Sequence, residues 1–206
     1  MSGQTETKVL KLPPGIVCFP HFFTPWASDE DRKKGKEPYY SCSILIDQAG
    51  QQTAEWNAIK AEANRVALDR FGVDELKKMV EFQQFKSPFL NGDKYADKYP
   101  EQAGKVVLRL SSKVPPGVVD QMVRPITDHT KIYAGALVIV SVNAYAYPKP
   151  GATGPAAANK GVSFGLRNVQ LYADGTPLGN RSRPEDDFKP LEHAATAAGN
   201  DPSALF

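Results

Sequence analysis

From Ile132 to Tyr147 the chain alternates with a period of two. Ala136, Val138, Val140, Val142 and Ala144 fall on one face, and Ser141, Asn143, Tyr145 and Tyr147 fall on the other. Side chains of a strand point alternately to opposite faces, whereas a helix would scatter these residues around its axis. The segment is therefore expected to be the longest strand, with one buried face. Leu137 and Ile139 break the polar face, so its first half is expected to be buried on both sides.

Two other stretches repeat the pattern. Tyr40, Cys42, Ile44 and Ile46 oppose Tyr39, Ser41 and Ser43, while Val106, Leu108 and Leu110 oppose Arg109, Ser111 and Lys113. A first strand is expected over Lys8 to Cys18, bent or pushed to an edge by Pro13-Pro14-Gly15. The last runs from Lys160 to Tyr172, after the loop PKPGATGPAAAN. Between the first two strands lie an aromatic segment and the polar loop SDEDRKKGKEP. In the aromatic segment Phe22 is expected to plug the barrel end and Trp26 to be exposed.

Trp56, Ile59, Ala63, Val66 and Phe71 recur at helical spacing, with Thr53 placed as an N-cap and Gly72 as the stop. A shorter helix is expected from Asp74 to about Phe82. Gln83 to Gly104 reads as an irregular insertion rich in Phe, Tyr and Lys. The 17 prolines and 16 glycines leave little room for further long helices.

Five strand regions and one main helix predict a mainly β chain (β+α). The expected fold is an OB-like five-stranded antiparallel barrel with insertions; a sandwich is the competing arrangement. Residues 1–178 are expected to form one nucleic-acid-binding domain and residues 179–206 a flexible acidic C-terminal tail. From Asp174 onward six carboxylates stand against three bases, which leaves the remainder at +5 in a chain of net charge +2. A basic body favours a polyanionic partner.

No apolar run approaches the roughly 20 residues that span a bilayer. The N-terminus MSGQTETK lacks the blocks of a secretory signal, so a cytoplasmic protein without membrane contact is expected. Cys18 and Cys42 lie in apolar strands without zinc-site spacing; buried thiols, no metal and no cofactor are expected. His21, His129 and His193 are scattered, and neither a nucleophile elbow nor a phosphate-binding glycine loop is present. No enzymatic activity is expected.

The polar faces of three strands combine tyrosine with serine, asparagine, Arg109 and Lys113. Bases stack on tyrosine whatever the sequence, and Arg or Lys neutralises phosphate, so such faces suit a single strand. The candidate contacts are Trp26, Lys33, Lys34, Tyr39, Arg109, Lys113, Tyr145, Tyr147 and Arg167. Lys33 and Lys34 also fit a plain solvated loop, since Asp29, Glu30, Asp31 and Glu37 flank them.

The blocks FPHFFTP, PYYSCSILI, SPFLNGD, SSKVPPGVVD, IYAG, NAYAY, NKGVSFGLRNVQ and DGTPLGNRSRPEDDF run in order from Phe19 to Phe188, within a likeness that extends over roughly Lys8 to Phe188. Their order and spacing resemble a family of bacteriophage single-stranded DNA-binding proteins. The resemblance implies an OB-like fold, sequence-independent binding of single-stranded DNA and a role in phage replication, recombination or repair. Asn180 stands where that family often has a second glycine. The main helix falls between the second and third strands instead of after the third, which leaves strand order and binding face open.

The ending DPSALF resembles the acidic, phenylalanine-terminated tails that recruit replication or recombination proteins. Glu185, Asp186, Asp187 and Phe206 are the residues such a role would use. Two alternatives stay open: a phage structural or protein-interaction module on the same barrel, and a metal-dependent nuclease using Glu185, Asp186 and Asp187.

Overall fold

The computed structural model describes residues 8–33, 35–179 and 189. The elements in chain order are β1 (Leu10–Lys11), β2 (Gly15–Trp26), α1 (Asp29–Lys33), β3 (Tyr39–Ile46), α2 (Ala54–Phe71), α3 (Val73–Glu81), β4 (Phe85–Lys86) and β5 (Leu90–Asn91). They are followed by β6 (Val106–Ser112), β7 (Gly117–Val119), β8 (Leu137–Tyr147), α4 (Pro155–Ala158), a single turn within the expected loop, and β9 (Lys160–Ala173).

Five of these strands close on themselves. β2 pairs with β3, β3 with β6, β6 with β9, β9 with β8, and β8 with β2. Numbered along the chain this is the order 1-2-3-5-4 of the OB barrel. The helices leave it unchanged because Ile46 and Val106 lie opposite each other across β3 and β6, so everything between them is inserted at one end of a single pair. The barrel is not wholly antiparallel: β9 runs parallel to β6, and also to β4 and β7.

Pro13 and Pro14 split the first strand, and β1 pairs with β8 separately from β2. Thr53 caps α2 by accepting the Trp56 N–H at 3.2 Å, and Gly72, at φ +75°, ends it. The strand expected from Ile132 starts only at Leu137. The preceding segment is drawn into a short helical turn capped by Asp128, and Gly135 then turns at φ +110°. A side chain at Gly135 would meet the Thr176 carbonyl oxygen at 2.0 Å, so only glycine fits there. At 11 residues β8 is consequently shorter than β2, with 12, and β9, with 14. The polar loop after Trp26 holds the short helix α1.

Ile44, Ile46, Leu108, Leu110, Val138, Val140, Val142 and Phe164 fill the barrel, all within 1% of full burial. Phe22 joins them, as its position predicts. α2 closes the end of the barrel with Trp56, Ile59, Ala63 and Ala67. Each large aliphatic side chain removed from water here contributes about 1.5–3 kcal/mol, which makes the barrel a rigid support for its outer face.

Candidate nucleic-acid interface

The outer face of β2, β3 and β6 is divided in two. At one end Cys18, Leu45 and Val107 point away from the barrel core yet are buried, because Ile16, Leu90 and Leu178 cover them. Further along the same strands the cover stops. There Phe19, His21 and Trp26 of β2, Tyr39, Ser41 and Ser43 of β3, and Arg109 and Ser111 of β6 line an open groove of about 720 Å³, walled by Tyr95, Tyr99 and Gln102.

The groove continues in both directions. Tyr39 and Ser111 also border a stretch of about 650 Å³ with Lys36, Glu37, Lys113 and Tyr145. Tyr95, Arg109 and Ser163 also border one of about 490 Å³ with Lys86, Lys94, Phe89 and Tyr147. This second stretch lies on the seam between β6 and β9, which pair only at Leu110–Phe164 and Ser111–Gly165. The segment from Phe85 to Asn91 fills the seam by pairing with β9 through β4 and with β6 through β5. Phe89 anchors it edge-on to Trp56 and Phe164.

The aromatic side chains are held by local backbone devices. β2 changes register between Cys18 and His21, where Phe19 adopts φ +51°, a conformation uncommon for a bulky residue. The bulge turns the Phe19 ring outward against Tyr99, edge-on, with centroids 5.3 Å apart. A second shift follows before Trp26, and the His21 and Trp26 rings stack at 5.1 Å and 9°. Burial lowers the His21 pKa, so the ring is neutral at pH 7 and contributes a flat surface there.

Tyr95 and Tyr99 sit on a compact excursion folded back by Gly92, whose missing side chain would otherwise meet the Gln102 carbonyl oxygen at 2.0 Å. Asn91 accepts the Asp93 N–H at 2.9 Å, and Asp93 accepts the Gly104 N–H at 2.6 Å. Arg109 lies over the Tyr95 ring at 5.3 Å, and Lys98 over Tyr99 at 5.4 Å. Such pairs hold a cation beside an aromatic face without neutralising it, so the charge stays available to a ligand.

At the far end the charges are partly engaged. Lys36 donates to Asp31 at 2.7 Å, and this hydrogen bond raises the lysine pKa. Lys113 lies 3.8 Å from Glu37, both side chains being more than 80% exposed. Tyr147 is half-buried, and its burial pushes the phenol pKa up, so it remains neutral. The thiols are buried as expected; burial drives Cys18 to about 12 and raises Cys42 as well, so neither ionises at neutral pH.

Of the residues singled out from the sequence, Trp26, Tyr39, Arg109, Lys113, Tyr145 and Tyr147 all border this groove. Trp26 is 44% exposed, and Tyr145 41%. Lys33 and Arg167 are exposed but stand apart from the three stretches. Lys33 ends α1, and Arg167 is the extra residue in a bulge of β9, where Ser141 and Val142 oppose Asn168 and Leu166. Lys34, Glu185, Asp186, Asp187 and Phe206 lie outside the described residues. The groove also contains Phe19, His21, Tyr95 and Tyr99, which the pattern of strand faces does not single out.

Among the described residues no group of His, Cys, Asp or Glu is arranged to hold a metal ion, and no helix is long and apolar enough to cross a membrane. A closed OB barrel with an open groove of stacked rings and cations across its outer face defines a protein of the nucleic-acid-binding OB class. Residues 16–199 match the family of the single-stranded DNA-binding protein of Enterobacter phage Enc34, and the chain belongs to that family.

Protein p50 of Acyrthosiphon pisum secondary endosymbiont phage 1 is 28% identical over 169 residues, 81% of this chain and 84% of that protein. The bacteriophage Enc34 protein in complex with single-stranded DNA superposes with a TM-score of 0.65 at 18% identity, covering 83% of this chain and 89% of the other. The bacteriophage T7 single-stranded DNA-binding protein gp2.5 superposes at 0.55 and 15% identity, covering 89% and 96%. At these identities the likeness to the solved structures establishes the fold.

Proposed function

We propose that this chain is a non-catalytic binder of single-stranded DNA, sequence-independent, that acts in phage DNA replication and also serves recombination and repair. The observation that carries this reading is the continuous groove on the open half of the barrel. Rings from β2, β3, β8 and the Tyr95–Tyr99 excursion line it, with Arg109 at the junction of two stretches.

Stacking is indifferent to base identity, at about 1–3 kcal/mol per base. A duplex keeps its base faces inside the helix and cannot offer them to Trp26, Tyr39 or Tyr99. The protein works in the bacterial host cytoplasm. The barrel, within residues 1–178, binds the strand, while residues 179–206 supply an acidic, partner-recruiting tail through Glu185, Asp186, Asp187 and Phe206.

The test is a titration of labelled single-stranded and duplex oligonucleotides of mixed sequence at two salt concentrations. Single strands are expected to bind more tightly than duplex, with little dependence on sequence and an affinity that falls as salt rises. Equal affinity for duplex, or an affinity indifferent to salt, contradicts the reading.

A further inference from the structure

Beyond the seam stretch, on the far side of Tyr147, is a separate cup of about 350 Å³ between the end of α2, the start of α3 and the connection from β8 to β9. Its charged lining is Arg70, Lys149 and Lys160 against a single carboxylate, Glu75. The connection is clipped to α2 by Arg70, whose Nε and Nη2 both donate to the Pro148 carbonyl oxygen at 3.2 Å. A guanidinium has five N–H donors, so this clip fixes Arg70 and leaves three of them unspent on Pro148. Lys160 donates to Glu75 at 2.9 Å, and Lys149 makes no ion pair among the described residues.

The cup and the groove are neighbours along both strands. Tyr147 and Val162 line the seam stretch, while Pro148, Lys149 and Lys160 line the cup. Lys86 of the seam stretch pairs in register with Gly161, next to Lys160. A strand leaving the groove past Tyr147 therefore meets three cations, one already oriented and one holding a carboxylate.

We propose that this cup is a phosphate-binding extension of the strand path, and that Glu75 occupies the phosphate position on Lys160 until a strand long enough to leave the groove displaces it. The inference rests on the groove being the strand path. Carboxylate and phosphate oxygens both accept charge-assisted hydrogen bonds from an ammonium group, and an exposed pair such as Lys160–Glu75 is weak enough to exchange. The cup thus adds affinity only to strands that overrun the groove, which favours long single-stranded tracts over short ones.

The experiment uses the full chain and oligothymidylates of increasing length, with affinity measured by fluorescence anisotropy at several salt concentrations. Each phosphate contact contributes about 0.7 to the slope of log affinity against log salt. The double variant Lys149→Gln/Lys160→Gln is expected to weaken long-strand binding and to lower the slope by about 0.7, the contribution of the unpaired Lys149, and to leave the shortest binding strand unaffected. Glu75→Gln is expected to tighten long-strand binding and to steepen the slope by about 0.7, because Lys160 then releases a counterion where it formerly released a carboxylate. Should a variant melt early, Lys149→Gln alone carries the test.

An unchanged slope on long strands, an equal change on short ones, or an equal response of duplex overturns the proposal. Weaker binding by Glu75→Gln also overturns it. Failure of the wild-type chain to bind any single strand would instead remove the groove reading on which the inference rests.

Discussion

The two ends of the outer face of β2, β3 and β6 are built on the same strands and meet opposite fates. At one end Cys18, Leu45 and Val107 are buried beneath Leu90 and Leu178; at the other Ser41, Ser43, Arg109 and Ser111 face an open groove. The change occurs within two residues on β3, from Leu45 to Ser43, and within two on β6, from Val107 to Arg109. Register aligns the two steps, since Leu45 pairs with Val107 and Ser43 with Arg109. A small barrel has little interior, so sealing half of its outer face adds a second apolar layer while leaving the other half free for a ligand.

The largest effect that would test this division lies in the covered half. Leu45→Ala is expected to destabilise the fold by about 2–5 kcal/mol, measured by chemical denaturation, with the affinity of the folded fraction for single strands unchanged. Loss of affinity at full stability would mean that the covered half takes part in binding.

Next in size is the loss of an aromatic surface in the open half. Tyr99→Ala removes both a ring in the groove and the partner of Phe19, and is expected to weaken binding by about 1–3 kcal/mol while the fold loses only the smaller contribution of one aromatic pair, about 0.5–1.5 kcal/mol. Wild-type affinity would place the strand away from the Tyr95–Tyr99 wall.

The smallest effect separates two cations of β6 and its end. Arg109→Gln is expected to reduce the salt slope by about 0.7, as a full phosphate contact does. Lys113→Gln should change it less, because Glu37 already lies 3.8 Å from that lysine. Equal losses would show that the Lys113–Glu37 pair opens completely on binding.

Much of the barrel was legible because strand alternation is a two-residue signal that survives in short segments. Thr53 and Gly72 bound their helix as cap and stop, and Tyr39, Arg109, Tyr145 and Tyr147 fall on the outer faces predicted for them. The division of that outer face was less visible. Its trace is the local loss of alternation in Ile44-Leu45-Ile46 and Val106-Val107-Leu108, where both faces turn apolar.

Phe19 and His21 escaped because bulges reset the alternation of β2, and a bulge depends on tertiary partners such as Tyr99. Tyr95 and Tyr99 carried a usable signal in the repeat Asp93-Lys94-Tyr95 and Asp97-Lys98-Tyr99, a four-residue step that brings two rings to one side of a tight coil. The irregular Pro and Gly around them hid that step. Ile132 to Ala136 misled in the other direction: apolar character alone reads as strand, while Gly135 and its approach to Thr176 decide the backbone.

The central claim, that single strands lie in the open groove, has a built-in reporter. The chain has 2 tryptophans: Trp56 is 3% exposed in the core, and Trp26 is 44% exposed in the groove, stacked on His21. Titrating an unlabelled single strand should quench the emission of the wild-type protein to saturation. The quench should disappear in Trp26→Phe, whose Trp56 is beyond the reach of a base, while that variant still binds a labelled strand. An undiminished quench in Trp26→Phe, or no quench of the wild type at saturating strand, would contradict the account.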